Sequence, residues 1–179
     1  NFQEGIDLLE NYLPMAEDKA EVFYSLGNLF RAKGDNTKAS FYFKEAVKKR
    51  INHEDALFQL AMITEEEGSF DEILDFYQEF IDQDPYSAGA WYNLGVVYNR
   101  LGRFEDAIKS YEYALIIDDA FASAHFNMGN SLMNTLNFEG ALEAYQNTIN
   151  CEGANAENCC YMGAAYEKLG KIDEAFKYF

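Results

Sequence analysis

Apolar residues in this chain recur three and four positions apart, the spacing of helices with one buried face. The runs are Phe23, Leu26, Gly27 and Phe30; Leu57, Leu60 and Ala61; Trp91, Leu94, Gly95 and Tyr98; His125, Met128, Gly129 and Leu132; and Cys159, Met162, Gly163 and Tyr166. The pattern returns every 34 residues. A small-residue column holds Gly27, Ala61, Gly95, Gly129 and Gly163. A second holds Ala39, Ile73, Ala107, Ala141 and Ala175, and a third holds Phe43, Tyr77, Tyr111, Tyr145 and Phe179. The spacing predicts helical hairpins opening at Ala20, Glu54, Ala88, Ala122 and Ala156. Ahead of them, Phe2, Ile6, Leu9 and Leu13 read as one further helix, with Gly5 and Leu9 in the small and aromatic columns and Pro14 ending it.

The columns have a packing reason. Glycine inside a helix costs about 1 kcal/mol against alanine, so its recurrence on the apolar face implies a close approach of two helices that returns more. The alanines supply the matching small surface on the second helix, and the rings fill the wider spaces. A further column, Gly34, Gly68, Gly102 and Gly170, marks the turn inside each pair, where glycine takes the left-handed conformation without penalty. Leu136 interrupts it, and the neighbouring Asn137 is expected to stand in.

Charge narrows the partners. The 179 residues carry a formal charge of −17, which repels phosphate backbones, so nucleic acid and anionic membrane surfaces are poor candidates. No apolar run nears the ~20 residues of a membrane helix, and no signal peptide is legible. Cys151, Cys159 and Cys160 make an odd set with an adjacent pair, unlike a disulfide framework, and a reducing cytoplasmic setting is expected. Residues 31–50 hold seven basic residues against two acids, whereas residues 51–90 hold eleven acids and no Lys or Arg. That contrast reads either as solvated faces with local ion pairs or as a dipolar surface for steering or self-association. Asp82 and Asp84, or Asp118 and Asp119, lack the ligand steps of a calcium loop, so no metal is expected.

The stretch Trp91, Leu94, Gly95, Tyr98, Ala107, Tyr111 resembles the tetratricopeptide repeat, whose signature sets these types at these steps. The likeness covers the whole length. It implies an all-α fold, a right-handed superhelix of stacked hairpins. Residues 1–179 then form a single solenoid, with 1–19 a leading half-repeat, repeats 20–53, 54–87, 88–121 and 122–155, and a truncated 156–179. Asp84-Pro85 closes one repeat as the family pattern asks; Ile51, Asp119 and Gly153 replace that proline elsewhere. Both ends read as open. Stacks of this kind usually need polar caps, so a longer native protein, or ends that meet a partner or a second copy, is expected.

The resemblance also implies a concave groove lined by first helices. Its fifth positions hold Tyr24, Phe58, Tyr92, Phe126 and Cys160, its sixth Ser25, Gln59, Asn93, Asn127 and Tyr161, and its ninth Asn28, Met62, Val96, Asn130 and Ala164. The four rings read either as anchors for a guest or as core. Asparagine offers a donor and an acceptor, so Asn93, Asn127 and Asn130 suit the backbone of an extended peptide. They are similar to the asparagine ladder of O-linked N-acetylglucosamine transferase repeats. The carboxylate clamp of one family branch is excluded, because Tyr24, Glu21, Asp55 and Gly89 stand where cations are needed.

His53 and His125 sit in no acid-base pattern, a Cys-His pair would lack an orienting third group, and no phosphate loop occurs. No catalysis and no cofactor are expected. The reading is a binding scaffold for a neutral or basic protein or peptide. The alternative is the targeting or regulatory arm of a larger enzyme or sensor.

Overall fold

The computed structural model describes residues 2–51, 53–68 and 70–178. Phe179 of the aromatic column, and the side chains of Glu54, Ala61 and Glu65, lie outside the described residues. Every regular element among the described residues is helical. In order they are α1 (Phe2–Tyr12), α2 (Lys19–Ala32), α3 (Asn36–Lys49), α4 (Glu54–Glu67), α5 (Phe70–Gln83), α6 (Ala88–Arg100), α7 (Phe104–Ile117), α8 (Ala122–Asn134), α9 (Phe138–Glu152), α10 (Ala156–Lys168) and α11 (Ile172–Ala175), with a single 3-10 turn, Leu13–Met15, after α1. Pro14 sits in that turn. The all-α arrangement of helix-turn-helix pairs expected from the periodicity is what the chain forms.

The chain makes two compact units, divided between Asp75 and Phe76 within α5. In the first, α1 packs on α2, α2 on α3 and α3 on α4. In the second, α6 packs on α7, α7 on α8, α8 on α9, α9 on α10 and α10 on α11.

One contact explains the hairpin. A Cβ added to Gly27 would lie 2.5 Å from Phe43 Cε1, one at Gly95 2.6 Å from Tyr111 Cε1, and one at Gly129 2.5 Å from Tyr145 Cε1. The second helix therefore lays a ring flat on the bare backbone of the first. Phe43, Tyr111 and Tyr145 are fully buried there, beside Ala39, Ala107 and Ala141. In α1 the core side chain is Ile6; Phe2 and Leu8 are exposed.

Helix starts are capped in ways that differ between repeats. Asp18, Asp35, Ser87 and Asn137 cap through side-chain oxygens. Asn155 and Asn158 close a reciprocal box on α10. At α4 the cap is a ring nitrogen: His53 Nδ1 accepts from Ala56 N–H at 3.3 Å.

Several basic residues of the first unit pair locally with acids. Arg31 meets Glu66 at 3.0 Å, Lys44 meets Glu72 at 3.8 Å, Lys48 meets Glu45 at 2.7 Å, and Arg50 reaches Glu21 at 2.9 Å and also Asp18. These pairs are partly exposed, so each adds about 0–1 kcal/mol at most.

The turn between α8 and α9 corrects an expectation. Leu136 itself takes the left-handed conformation, with φ 62°, as Gly34 (83°) and Gly102 (69°) do in their turns. Asn137 does not substitute; it has φ −88°, and its Oδ1 accepts from Gly140 N–H at 3.0 Å to cap α9. The ends of two packed helices fix the turn geometry, and the leucine bears the strain. That strain costs roughly 1–2 kcal/mol, less the extra entropy a glycine loses on folding. Leu136→Gly is therefore expected to raise stability by about 1 kcal/mol, read as a higher denaturant midpoint at constant m. An unchanged or lower midpoint would contradict the strain.

Candidate functional site

The first-helix positions expected to meet a guest are treated unit by unit. In the second unit, the fifth-position rings lean on the second-helix rings with one recurring geometry. Tyr92 lies 5.9 Å from Tyr111 at 45°, and Phe126 lies 5.8 Å from Tyr145 at 51°. In the first unit, Tyr24 lies 5.8 Å from Phe43 at 44°. Each of these three rings thus uses one face for packing and stays half-buried. Phe58 differs, being 49% exposed.

A second ring closes on Tyr24 and on Tyr92 from the residue that precedes the next first helix. His53 sits 4.9 Å from Tyr24, and Phe121 sits 4.7 Å from Tyr92. These two residues are two repeat steps apart in one column, so the 34-residue period extends to this contact. On Phe126 the closing ring comes from α10: Tyr161 stands edge-on at 4.9 Å and 89°, and lies 5.6 Å from Tyr145. Sequence reasoning placed Tyr161 in the sixth column yet left it, and Phe121, out of the site. For Phe121 the signal was there: its column holds a second ring, His53, beside Ser87 and Asn155.

The asparagines divide. Asn127 donates through Nδ2 to the Tyr92 hydroxyl at 2.9 Å, joining α8 to α6. Asn130 accepts through Oδ1 from the Tyr145 hydroxyl at 2.9 Å. Both residues are half-buried. Asn93 is fully buried and presents no amide at the surface. Asn28 and Met62 in the first unit, and Val96 in the second, are half-buried. The structure therefore brings Tyr92, Val96, Phe126, Asn127, Asn130 and Tyr161 to the first helices of one unit. Tyr24, Asn28, Phe58 and Met62 belong to those of the other.

Burial pushes the Tyr111 and Tyr145 hydroxyls well above the usual tyrosine range, with Tyr92 beside the first and Tyr161 beside the second adding to it. These groups stay neutral donors through any physiological pH, so the Tyr145–Asn130 bond does not switch.

Charge distribution sets this face apart. Of the charged types, α6 carries only Arg100, α8 carries none, and α10 carries Glu157, Glu167 and Lys168. Those helices sum to zero. The second helices α7 and α9 carry Glu105, Asp106, Glu112, Glu139, Glu143 and Glu152 against Lys109. An acidic chain thus keeps the first helices of its second unit neutral and rich in amides and rings.

His125 is explained by Trp91. The indole Nε1–H of Trp91 donates to Pro85 O at 3.0 Å, and His125 Nε2 sits 3.0 Å from Asp119 O, six residues back in each case. The imidazole reproduces the indole's bond, which requires its proton on Nε2. It is a structural donor here. Cys151 and Cys160 are exposed, Cys159 is half-buried, and all three are free thiols. Among the described residues, no cluster of three His, Cys, Asp or Glu side chains could hold a metal, and no helix is long and apolar enough to cross a membrane.

Models of the tetratricopeptide repeat match residues 24–88 and 88–121. The chain belongs to the tetratricopeptide repeat family. Comparison with curated protein sequences returns no match. Among solved structures, the chain is similar to MamA at 28% identity, covering 86% of this chain and 90% of that one, with a TM-score of 0.66. It is similar in fold to a thermophilic TPR protein of Thermus thermophilus, TTC0263, at 20% identity, covering 89% and 87%, with a TM-score of 0.61. It is also similar in fold to YrrB, described as a TPR protein with an unusual peptide-binding site, at 15% identity, covering 95% and 88%, with a TM-score of 0.60. Proteins of this family are generally non-catalytic, and the family assignment supports a protein-interaction scaffold.

Proposed function

We propose that this chain is a non-catalytic scaffold that holds an extended, near-neutral polypeptide segment against the first helices of its second unit. The observation that carries the reading is the neutral lining of α6, α8 and α10 in a chain of net charge −17. A face meant for a basic guest would hold its acids where the guest lies. Here the excess of acids sits on α7 and α9, while the two glutamates of α10 are offset by Lys168 and by Arg100 of α6.

Each component has a role. The exposed edges of Tyr92, Phe126 and Tyr161 offer apolar contact at low entropic cost. Val96 adds aliphatic surface. Asn127 and Asn130 each spend one amide group on a tyrosine hydroxyl and retain the other for a guest's backbone. Because those tyrosine bonds fix the amide orientation in advance, binding loses little side-chain freedom. In the first unit, Tyr24, Asn28, Phe58 and Met62 offer side chains of the same kinds to a segment of their own.

The test is selection of peptides from a random library by the full chain. Winners are expected to carry little net charge, and their affinity should change little between low and high salt. Asn127→Ala should weaken a winner roughly three- to tenfold, the loss of about one hydrogen bond. Uniformly basic winners that dissociate in salt, with affinity untouched by Asn127→Ala, would overturn the reading.

A further inference from the structure

In the first unit, one hairpin carries a threonine where three others carry a ring. The eleventh column of the first helices holds Phe30, Thr64, Tyr98, Leu132 and Tyr166. Where that residue is aromatic, its ring is covered by a cation or a second ring. Phe30 stacks on Tyr42 at 5.2 Å and 12°, with Lys38 Nζ 5.0 Å from its centroid. The Arg103 guanidinium lies 4.5 Å from the Tyr98 centroid. Tyr166 stacks on Tyr178 at 5.4 Å and 21°.

In the second hairpin the ring is absent. Thr64 is buried at 6% exposure and turns its hydroxyl back to Leu60 O at 2.7 Å. A cavity of about 310 Å³ remains between α3, α4 and the start of α5. Leu60, Thr64 and Ile73 form its inner wall, and Phe41, Lys44 and Glu72 its rim. Ile73 replaces the alanine of its column and still does not fill the space. Its volume exceeds the roughly 150 Å³ that accommodates benzene, and Thr37, Ser40 and Glu67 make the rest of the lining polar, so an apolar ring would be received on the Leu60 and Ile73 side. The mouth is open: Phe41 is 57% exposed, and Glu72 is exposed. Lys44 Nζ, 3.8 Å from Glu72 Oε2, puts at the rim the type of cation that covers the ring of Phe30.

We propose that this cavity is a docking site for one aromatic side chain, tyrosine or phenylalanine, supplied by a partner polypeptide. The occupant follows from the column. Three of the five hairpins place an aromatic amino-acid side chain at this position. Buried Leu60 and Ile73 would receive the ring, the exposed edge of Phe41 would meet its side, and Lys44 would approach its face. The Thr64 hydroxyl, already bonded to Leu60 O, imposes no unmet polar demand on an apolar guest. The site belongs to the first unit and the neutral face proposed above to the second, and the one stands or falls independently of the other.

The experiment titrates the full isotope-labelled chain with p-cresol, then with N-acetyl-tyrosinamide, and follows amide shifts. Both probes are expected to give saturable shifts at Leu60, Thr64 and Ile73. Thr64→Tyr, which restores the ring of the column, should abolish them and raise the Tm. Should Thr64→Tyr misfold by circular dichroism, Thr64→Leu, the residue type of Leu132, carries the same expectation. Thr64→Ala, which leaves the slot open, should retain binding. Absence of saturable shifts in the wild-type chain, or shifts that survive Thr64→Tyr or Thr64→Leu in a folded variant, would overturn the site. Binding of p-cresol with exclusion of N-acetyl-tyrosinamide would overturn the polypeptide occupant and leave only a free small aromatic.

Discussion

Replacing Gly129 by leucine is expected to lower the stability of the α8–α9 pair by about 2–3 kcal/mol, at the upper end of overpacking costs. The first added atom alone would stand 2.5 Å from Tyr145 Cε1, and a leucine brings three more carbons behind it. The helix gains about 1 kcal/mol in propensity from losing glycine, which is too little to cancel the clash. The ring cannot step aside cheaply. Tyr145 is fully buried, bonded to Asn130 at 2.9 Å, and flanked by Phe126 and Tyr161. Because hairpins in a stack contact only their neighbours, the damage should be local. Hydrogen exchange should show faster opening of α8 and α9, with α6 and α7 affected less. Exchange like the wild type would contradict the close approach.

Tyr145→Ala is the complementary case, with an expected cost of about 3–5 kcal/mol, that of removing a fully buried ring. The two positions should also couple. With the ring gone, a methyl at Gly129 meets no obstacle, so Gly129→Ala should be harmful in the wild type and close to neutral or favourable in Tyr145→Ala. A double-mutant cycle by urea unfolding measures that difference. Additive losses would show that glycine and ring are not partners.

Much of this was legible in the amino-acid order. The columns of Gly95 and Tyr111 announced a close approach that recurs with the 34-residue period, but residue types alone set the alanines against the glycines, whereas the structure lays the ring there. The all-helical class followed from the three-and-four spacing. Other features depend on geometry that no column states. Asn93 and Asn127 share a column, yet one is fully buried and the other half-exposed. Asn137 is the better left-handed residue, yet Leu136 adopts that conformation. Helix packing fixes the chain path there, and one residue's preference is worth too little to move it. His53 was visible as a boundary residue, but its use as a helix cap and as a lid on Tyr24 required knowing where its ring points. Thr64 stood out as a departure from its column. Only the packed structure shows the cavity that lies beside it.

The candidate site was drawn from residue types alone. Residue types at the fifth, sixth and ninth positions named Tyr92, Phe126, Asn127 and Asn130. They did not reveal that the tyrosine hydroxyls and the amides bond to one another across helices. Nor did they reveal that Tyr161 closes on Phe126.

The claim most open to direct test is that a guest lies along the first helices of the second unit. Amide shifts of the labelled chain, recorded with a library-selected peptide, decide it. The expected result is a continuous set of shifts on α6, α8 and α10 that includes Val96, Asn127, Asn130 and Tyr161. Shifts confined to the acidic second helices α7 and α9 would contradict it.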